Sequence, residues 1–202
     1  MSIINELRGL APDRALEDHE ARHIAERQAT RLLALTGTTE PAVPAEIITE
    51  LPRIQAQLAT DLPASGATRW VGGRWQVLIR AEDHRLRRRF TLAHELKHIV
   101  DHPIVDRAYT TDSNRTAHER AEAICDYFAA CLLMPRPWVK RAWTAGLQGE
   151  RDLAILFYVS RQAMRIRLNQ LGLTAAAMRC RRDGDDRSRP TSFRRLATLE
   201  GR

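Results

Sequence analysis

The run His94-Glu95-Leu96-Lys97-His98 carries chemistry by its spacing alone. Residues i and i+4 of a helix lie one turn apart on one side, so the two imidazoles can reach a single metal ion. Glu95 is turned about 100° from His94, at the rim of that face, where a carboxylate can take a proton from a water held by the ion. Zinc suits such a site, because it is content with imidazole nitrogen and acidifies its water. Two imidazoles and a carboxylate also accept manganese or iron, with availability deciding. With seven histidines and thirteen glutamates in 202 residues, chance supplies roughly 0.015 such matches. The bland reading, two solvated histidines on an amphipathic helix, is correspondingly weak.

A catalytic zinc site usually adds a third protein ligand and leaves a fourth position open. The position ten after His94 is Ile104, so a third histidine at that spacing is ruled out, and His102, at the end of the helix, packs or caps. A second helical stretch offers Glu122 and Asp126 at i and i+4, opposite its apolar Ile124/Phe128 face. Glu122 reads as the third ligand, and Asp126 as the carboxylate that holds the free ring nitrogen of a ligand histidine. Glu119, one turn earlier, is the fallback. Cys125 could give a thiolate, but it falls on the buried stripe, where free cysteine behaves as a small hydrophobe. Tyr109, His118 and Tyr127 lie near these helices in sequence without a spacing argument for an oxyanion role.

The elements that must position these groups can be read from periodicity. Residues Asp13 to Thr36 repeat at helical intervals and stop at Gly37, and Ala45 to Leu51 reads as a short helix ending before Pro52. Around Gly72-Gly73, the runs from Arg69 to Arg80 predict a β-hairpin with Trp75, Val77 and Ile79 on its packed face. From about Arg88 the period turns helical, with Leu92, Ala93, Leu96, Ile99 and Val100 as the stripe and Pro103 as the stop. A loop over Tyr109 to Asn114 leads to the second helix, Thr116 to Leu133, whose buried side is Ala121, Ile124, Cys125, Phe128 and Leu132. A short helix around Trp138 to Ala145 follows.

Two of these stretches resemble the ImmA/IrrE metallopeptidases. Arg88-Arg-Phe-Thr-Leu-Ala-His94-Glu95-Leu-Lys-His98 is similar to that family's active-site helix. Glu122-Ala-Ile-Cys-Asp126-Tyr-Phe128-Ala-Ala-Cys-Leu-Leu-Met134-Pro135 is similar to its third-ligand helix, E-x-x-A-N-x-F-A-A-x-L-L-M-P. A weaker likeness extends from about Ala25 to Leu173. Lys97 stands where glycine is common, and Cys125-Asp126 replaces Ala-Asn, a change that bears on how a ligand histidine is oriented. The resemblance implies a zincin-like fold and a zinc endopeptidase. His94, His98 and Glu122 would bind the metal, and Glu95 would act as general base and then acid. The implied substrate is a helix-turn-helix repressor of the Xre/Cro type, whose cleavage relieves repression. The edge of the Trp70 to Ile79 hairpin could take such a substrate as an added strand.

Asp152 to Gly172 reads as helix, tight turn, helix, with Val159-Ser160 as the turn and Ser160 as N-cap. Arg161 and Gln162 would face base edges if this pair reads DNA, with Arg165 and Arg167 on the same helix; a docking surface for a repressor is the rival use. The net charge of +7 argues little for nucleic acid, since the stretch from Arg179 to Arg202 supplies +4 of it. Three cysteines (Cys125, Cys131, Cys180), without a Cys-x-x-Cys pair, and no secretory or membrane-spanning run point to a cytoplasmic protein with reduced thiols. The expected architecture is α+β and mostly helical: a zincin-like metallopeptidase domain over 1–145 with a small β-hairpin or sheet, a helix-turn-helix-like segment over 146–176, and a basic tail over 177–202. The competing functions are a DNA-binding regulator with a vestigial metal site and a toxin–antitoxin interaction module with structural zinc.

Overall fold

A computed structural model describes residues 2–112 and 114–173. The expected tail and Cys180 lie outside the described residues. Those up to Arg167 belong to one compact unit; Leu168–Leu173 are the described part of a second. The described residues form nine helices and one three-stranded mixed sheet, an α+β and mostly helical architecture. No helix among them is long and apolar enough to cross a membrane.

The chain opens with α1 (Ile3–Arg8) and α2 (Asp18–Leu35). Periodicity alone starts the second helix at Asp13, five residues early. Glu17 stops it there: its side chain and that of Glu20 close a reciprocal capping box, while Leu16 is tied back by its amide to the carbonyl of Ala108 at 3.1 Å. After α3 (Glu46–Thr49), β1 (Ile54–Ala59) runs parallel to β3 (Arg74–Arg80), and β2 (Gly66–Val71) runs antiparallel to it. The strand order is β1-β3-β2, so β2 is an edge. Gly72 and Gly73 make the hairpin turn with φ of 58° and 79°, a region where a side chain would be strained. Trp75, Val77 and Ile79 alternate inward as the sequence predicts.

The next helices are α4 (Arg85–Asp101), α5 (Val105–Ala108) and α6 (Ala117–Leu133). α4 begins three residues before the predicted start because the His84 ring accepts the Leu86 amide as a cap. Helices α2 and α4 both pack on α6, and β2 and β3 lie on α4. The stripe residues Leu96, Ile99, Phe128 and Leu132 are fully buried, each worth about 1.5–3 kcal/mol in apolar burial. This packing holds the HExxH helix against the helix of Glu122.

Two buried polar clusters fix α4 and α6 further. Lys97, 1% exposed, donates to Asp101 at 2.6 Å and to the side-chain Oε1 of Gln28 at 2.8 Å. Asp101 also accepts the Tyr109 hydroxyl at 2.5 Å. The buried Lys97 charge is therefore paired with a carboxylate inside the core. On α6, Arg120 spans α2 and the loops, reaching Asp18 at 3.0 Å, the Thr110 carbonyl at 2.6 Å and the Leu16 carbonyl at 2.7 Å. Beyond α7 (Arg136–Thr144) come α8 (Glu150–Phe157) and α9 (Arg161–Gln170). Tyr158 turns between the last two in the left-handed region, and the Ser160 hydroxyl caps α9 by accepting the Ala163 amide.

Candidate active site

On α4 the Nε2 atoms of His94 and His98 lie 3.0 Å apart. From α6, Glu122 places one carboxylate oxygen 3.3 Å from the first and the other 3.1 Å from the second. A tetrahedral ion with bonds of about 2.0–2.1 Å has ligand-to-ligand edges of roughly 3.3 Å. These three donors already stand at that spacing, so the set fits a zinc-sized ion with shifts of a few tenths of an ångström. Asp126, one turn beyond Glu122, sits 2.9 Å from His94 Nδ1. That contact leaves Nε2 as the nitrogen facing the centre, the arrangement that suits a ligand histidine.

The electrostatics agree. Burial disfavours a charged His94, but hydrogen bonds to Asp126 and Glu122 and their charges outweigh it and raise its pKa to about 9. The same two rings, by hydrogen bonding, hold the Glu122 carboxyl far below the usual carboxylate range. In the metal-free protein a proton thus stands in for the cation, stabilised by the carboxylates that a metal ion would use.

The fallback ligand is engaged elsewhere. Glu119 accepts the Thr116 amide at 2.8 Å and the Thr116 hydroxyl at 2.9 Å, while Thr116 accepts the Glu119 amide: a capping box that starts α6. Cys125 is closer than its place on the apolar stripe implies. Its sulfur and the nitrogens of His94 and His98 all lie within 4.8 Å of one another, so it is a second candidate for the third position. The Glu122 oxygens stand at ligand spacing from both rings; Cys125 is buried, and burial pushes its thiol well above its ordinary pKa.

His94, His98, Glu122 and Cys125 line a cleft of about 510 Å³ between β2, α4 and α6. Glu95 lines it too and is 6% exposed, with its Oε2 accepting the Thr68 hydroxyl at 2.6 Å. Tyr109 lines the cleft, but its hydroxyl is given to Asp101. Burial, with the charge of Asp101 beside it, pushes that phenol far above its usual range, so it stays a neutral donor. Tyr127 faces Glu26 instead. His118 lines the cleft one turn before Glu122. His102 packs its ring edge-on to Trp75, 4.9 Å between centroids, consistent with the packing role read from sequence.

Sequence reasoning passed over Thr68 and Gly66, which meet Glu95 from 27 and 29 residues away. A glycine opening a strand was the available signal of close backbone approach. The second constellation fares differently. Arg161 and Arg165 both pair with Glu150, at 3.3 and 2.8 Å. Arg167 is fully buried, its Nε on the Met134 carbonyl at 3.0 Å, and so does not belong to an exposed basic face.

Among the curated proteins, none matches this chain. A solved structure of a Mycobacterium tuberculosis transcriptional regulator superposes with a TM-score of 0.56 at 20% identity, over 83% of this chain and 52% of that one. The chain thus spans about half of that neighbour, and the likeness is one of fold. The family model described as the IrrE N-terminal-like domain, Peptidase_M78, matches residues 56–169, a stretch that includes every donor named above. The chain belongs to this metallopeptidase family.

Proposed function

We propose that this protein is a zinc-dependent endopeptidase that hydrolyses a peptide bond in a protein substrate, a helix-turn-helix repressor of the Xre/Cro type, and so relieves repression in the cytoplasm. The observation that carries the reading is the convergence of His94, His98 and Glu122 at ligand spacing in the cleft that Glu95 lines. In this reading the chain has a zincin-like metallopeptidase domain followed by a helix-turn-helix-like pair, α8 and α9. The likeness to a transcriptional regulator supports the regulatory setting.

His94, His98 and Glu122 would hold the ion, with Asp126 fixing the ring of His94. When bound, zinc supplies Lewis-acid chemistry, polarising the scissile carbonyl and easing ionisation of the attacking water. Glu95 accepts the proton of that water and passes it to the leaving amine. The edge of β2 that pairs with no strand among the described residues receives the substrate as an extended strand, its backbone hydrogen bonds setting register over the cleft. Occupation of Arg161 and Arg165 by Glu150, and burial of Arg167, make the DNA-reading alternative the weaker one.

The test is cleavage of a purified repressor of this type, encoded beside the chain's gene, by zinc-loaded protein. Glu95→Gln should retain zinc and lower the rate by at least about 1,000-fold, and a chelator should abolish cleavage. Regulation in cells that survives Glu95→Gln would sink the peptidase reading.

A further inference from the structure

Glu95 is held by the strand opposite it. Gly66 and Thr68 are two apart on β2 and so share one face, which meets α4. The Thr68 hydroxyl donates to Glu95 Oε2 at 2.6 Å. At Gly66, a Cβ would stand 2.6 Å from Glu95 Oε1 and 2.4 Å from the Thr91 methyl, closer than any real contact. One carboxylate oxygen is therefore tied to a hydroxyl, and the other occupies the space where a side chain at position 66 would begin.

We infer that Thr68 is a positioning residue for Glu95, and that Gly66 is the gap that lets the carboxylate seat against β2. The inference rests on the peptidase reading above, in which Glu95 handles protons. A glutamate has three side-chain torsions, and a base must sit within hydrogen-bond reach of the proton it takes. Packing fixes the stem of Glu95, since the residue is buried between helix and strand. The carboxylate itself needs a directional partner, and among the hydrogen bonds of the described residues its side-chain donor is Thr68. The hydroxyl fixes one oxygen and retains its own proton throughout, so the proton taken from water moves only between the attacking oxygen, Glu95 and the leaving nitrogen. Because β2 is also the edge that the substrate would join, one strand sets both the base and the bond presented to it. A misplacement of about 1 Å at such a centre costs up to about 100-fold.

Crystals of the metal-free wild type, Thr68→Val and Thr68→Ser report the seat of the Glu95 carboxylate without reference to activity. Zinc-loaded proteins are then compared on the fastest-cleaved member of an end-blocked mixed peptide library, with Glu95→Gln as the zero and Thr68→Ala in place of valine should valine not fold. The expected result is a displaced carboxylate in Thr68→Val, with kcat about tenfold lower, KM unchanged and zinc content at wild-type level. Thr68→Ser should restore both the seat and the rate to within about threefold, and Gly66→Ala should lower kcat by about 100-fold. An unmoved carboxylate in Thr68→Val, or a serine variant as slow as the valine one, overturns the inference. A wild type no faster than Glu95→Gln overturns the peptidase reading and the role of Thr68 with it, and is recognised by the absence of cleavage in every protein.

Discussion

The α4–α6 pair and the α8–α9 pair both carry polar side chains at helical spacing, yet they dispose of them in opposite ways. On α4 and α6, His94, His98 and Glu122 turn toward one point and take one another as partners at 3.0–3.3 Å, a separation that an inserted ion would hold. On α8 and α9, Glu150 collects Arg161 and Arg165 at the surface, and Arg167 is drawn into the core. Convergence is what separates them. Charges that cancel locally hold little in reserve for a ligand, whereas donors of like kind gathered against a carboxylate require a cation, a proton in its absence.

The contrast is broken most severely at Glu122. Its replacement by alanine should weaken zinc by more than about 100-fold, beyond what loss of an orienting group costs, in competition with a chelator of known affinity. Glu119→Ala should leave that affinity unchanged and lower only the unfolding midpoint, since its carboxylate caps α6. If the two exchange behaviour, the ligand assignment is wrong. Next in size is Asp126→Ala, for which a fall of about 10–100-fold in zinc affinity is expected by the same titration.

Acidity gives a graded version. The pKa of His94 is about 9 in the folded protein against an ordinary 6.5. A raised folded value stabilises the metal-free protein fully below about pH 6.5, and that contribution fades as the pH climbs through 9. Zinc must displace the same proton, so its affinity should rise by up to about tenfold per pH unit across that window, levelling near pH 9. Chelator competition at fixed ionic strength measures the slope; a flat profile would mean that His94 carries no proton for zinc to displace and that its pKa is not raised. The smallest effect belongs to the other pair. Arg161→Ala together with Arg165→Ala should change neither zinc affinity nor the unfolding midpoint, because exposed ion pairs contribute little. A clear drop in either would show that α9 supports the cleft.

Much of the cleft was legible because helical spacing encodes faces. The i, i+4 pairs His94/His98 and Glu122/Asp126 needed only the helices that their apolar stripes announce, and all four meet. Strand β1 was not legible: Ile54-Gln-Ala-Gln-Leu-Ala mixes small and polar residues, and Leu58 is 58% exposed, so its parallel pairing with β3 leaves almost no alternation to read. Nor were the partners of Lys97, since a charge in an apolar stripe looks like an error until Asp101 and Gln28 stand beside it. Thr68 belongs to the same class. Spacing reveals which residues share a surface of one element, but what arrives from another element depends on the turns between them.

Arg120 binds the start of the chain to the helix of Glu122. Its guanidinium lies in the core two residues before that carboxylate, and its partners Asp18 and Leu16 lie far upstream of position 56, where the family match begins. Lys97 depends likewise on Gln28. A fragment trimmed to the matched stretch would take Asp18 and the Leu16 carbonyl from Arg120 and Gln28 from Lys97, leaving two buried cations short of partners. The catalytic signature is thus not a portable module: the opening helices are its foundation, and any minimal version of this protein has to carry them.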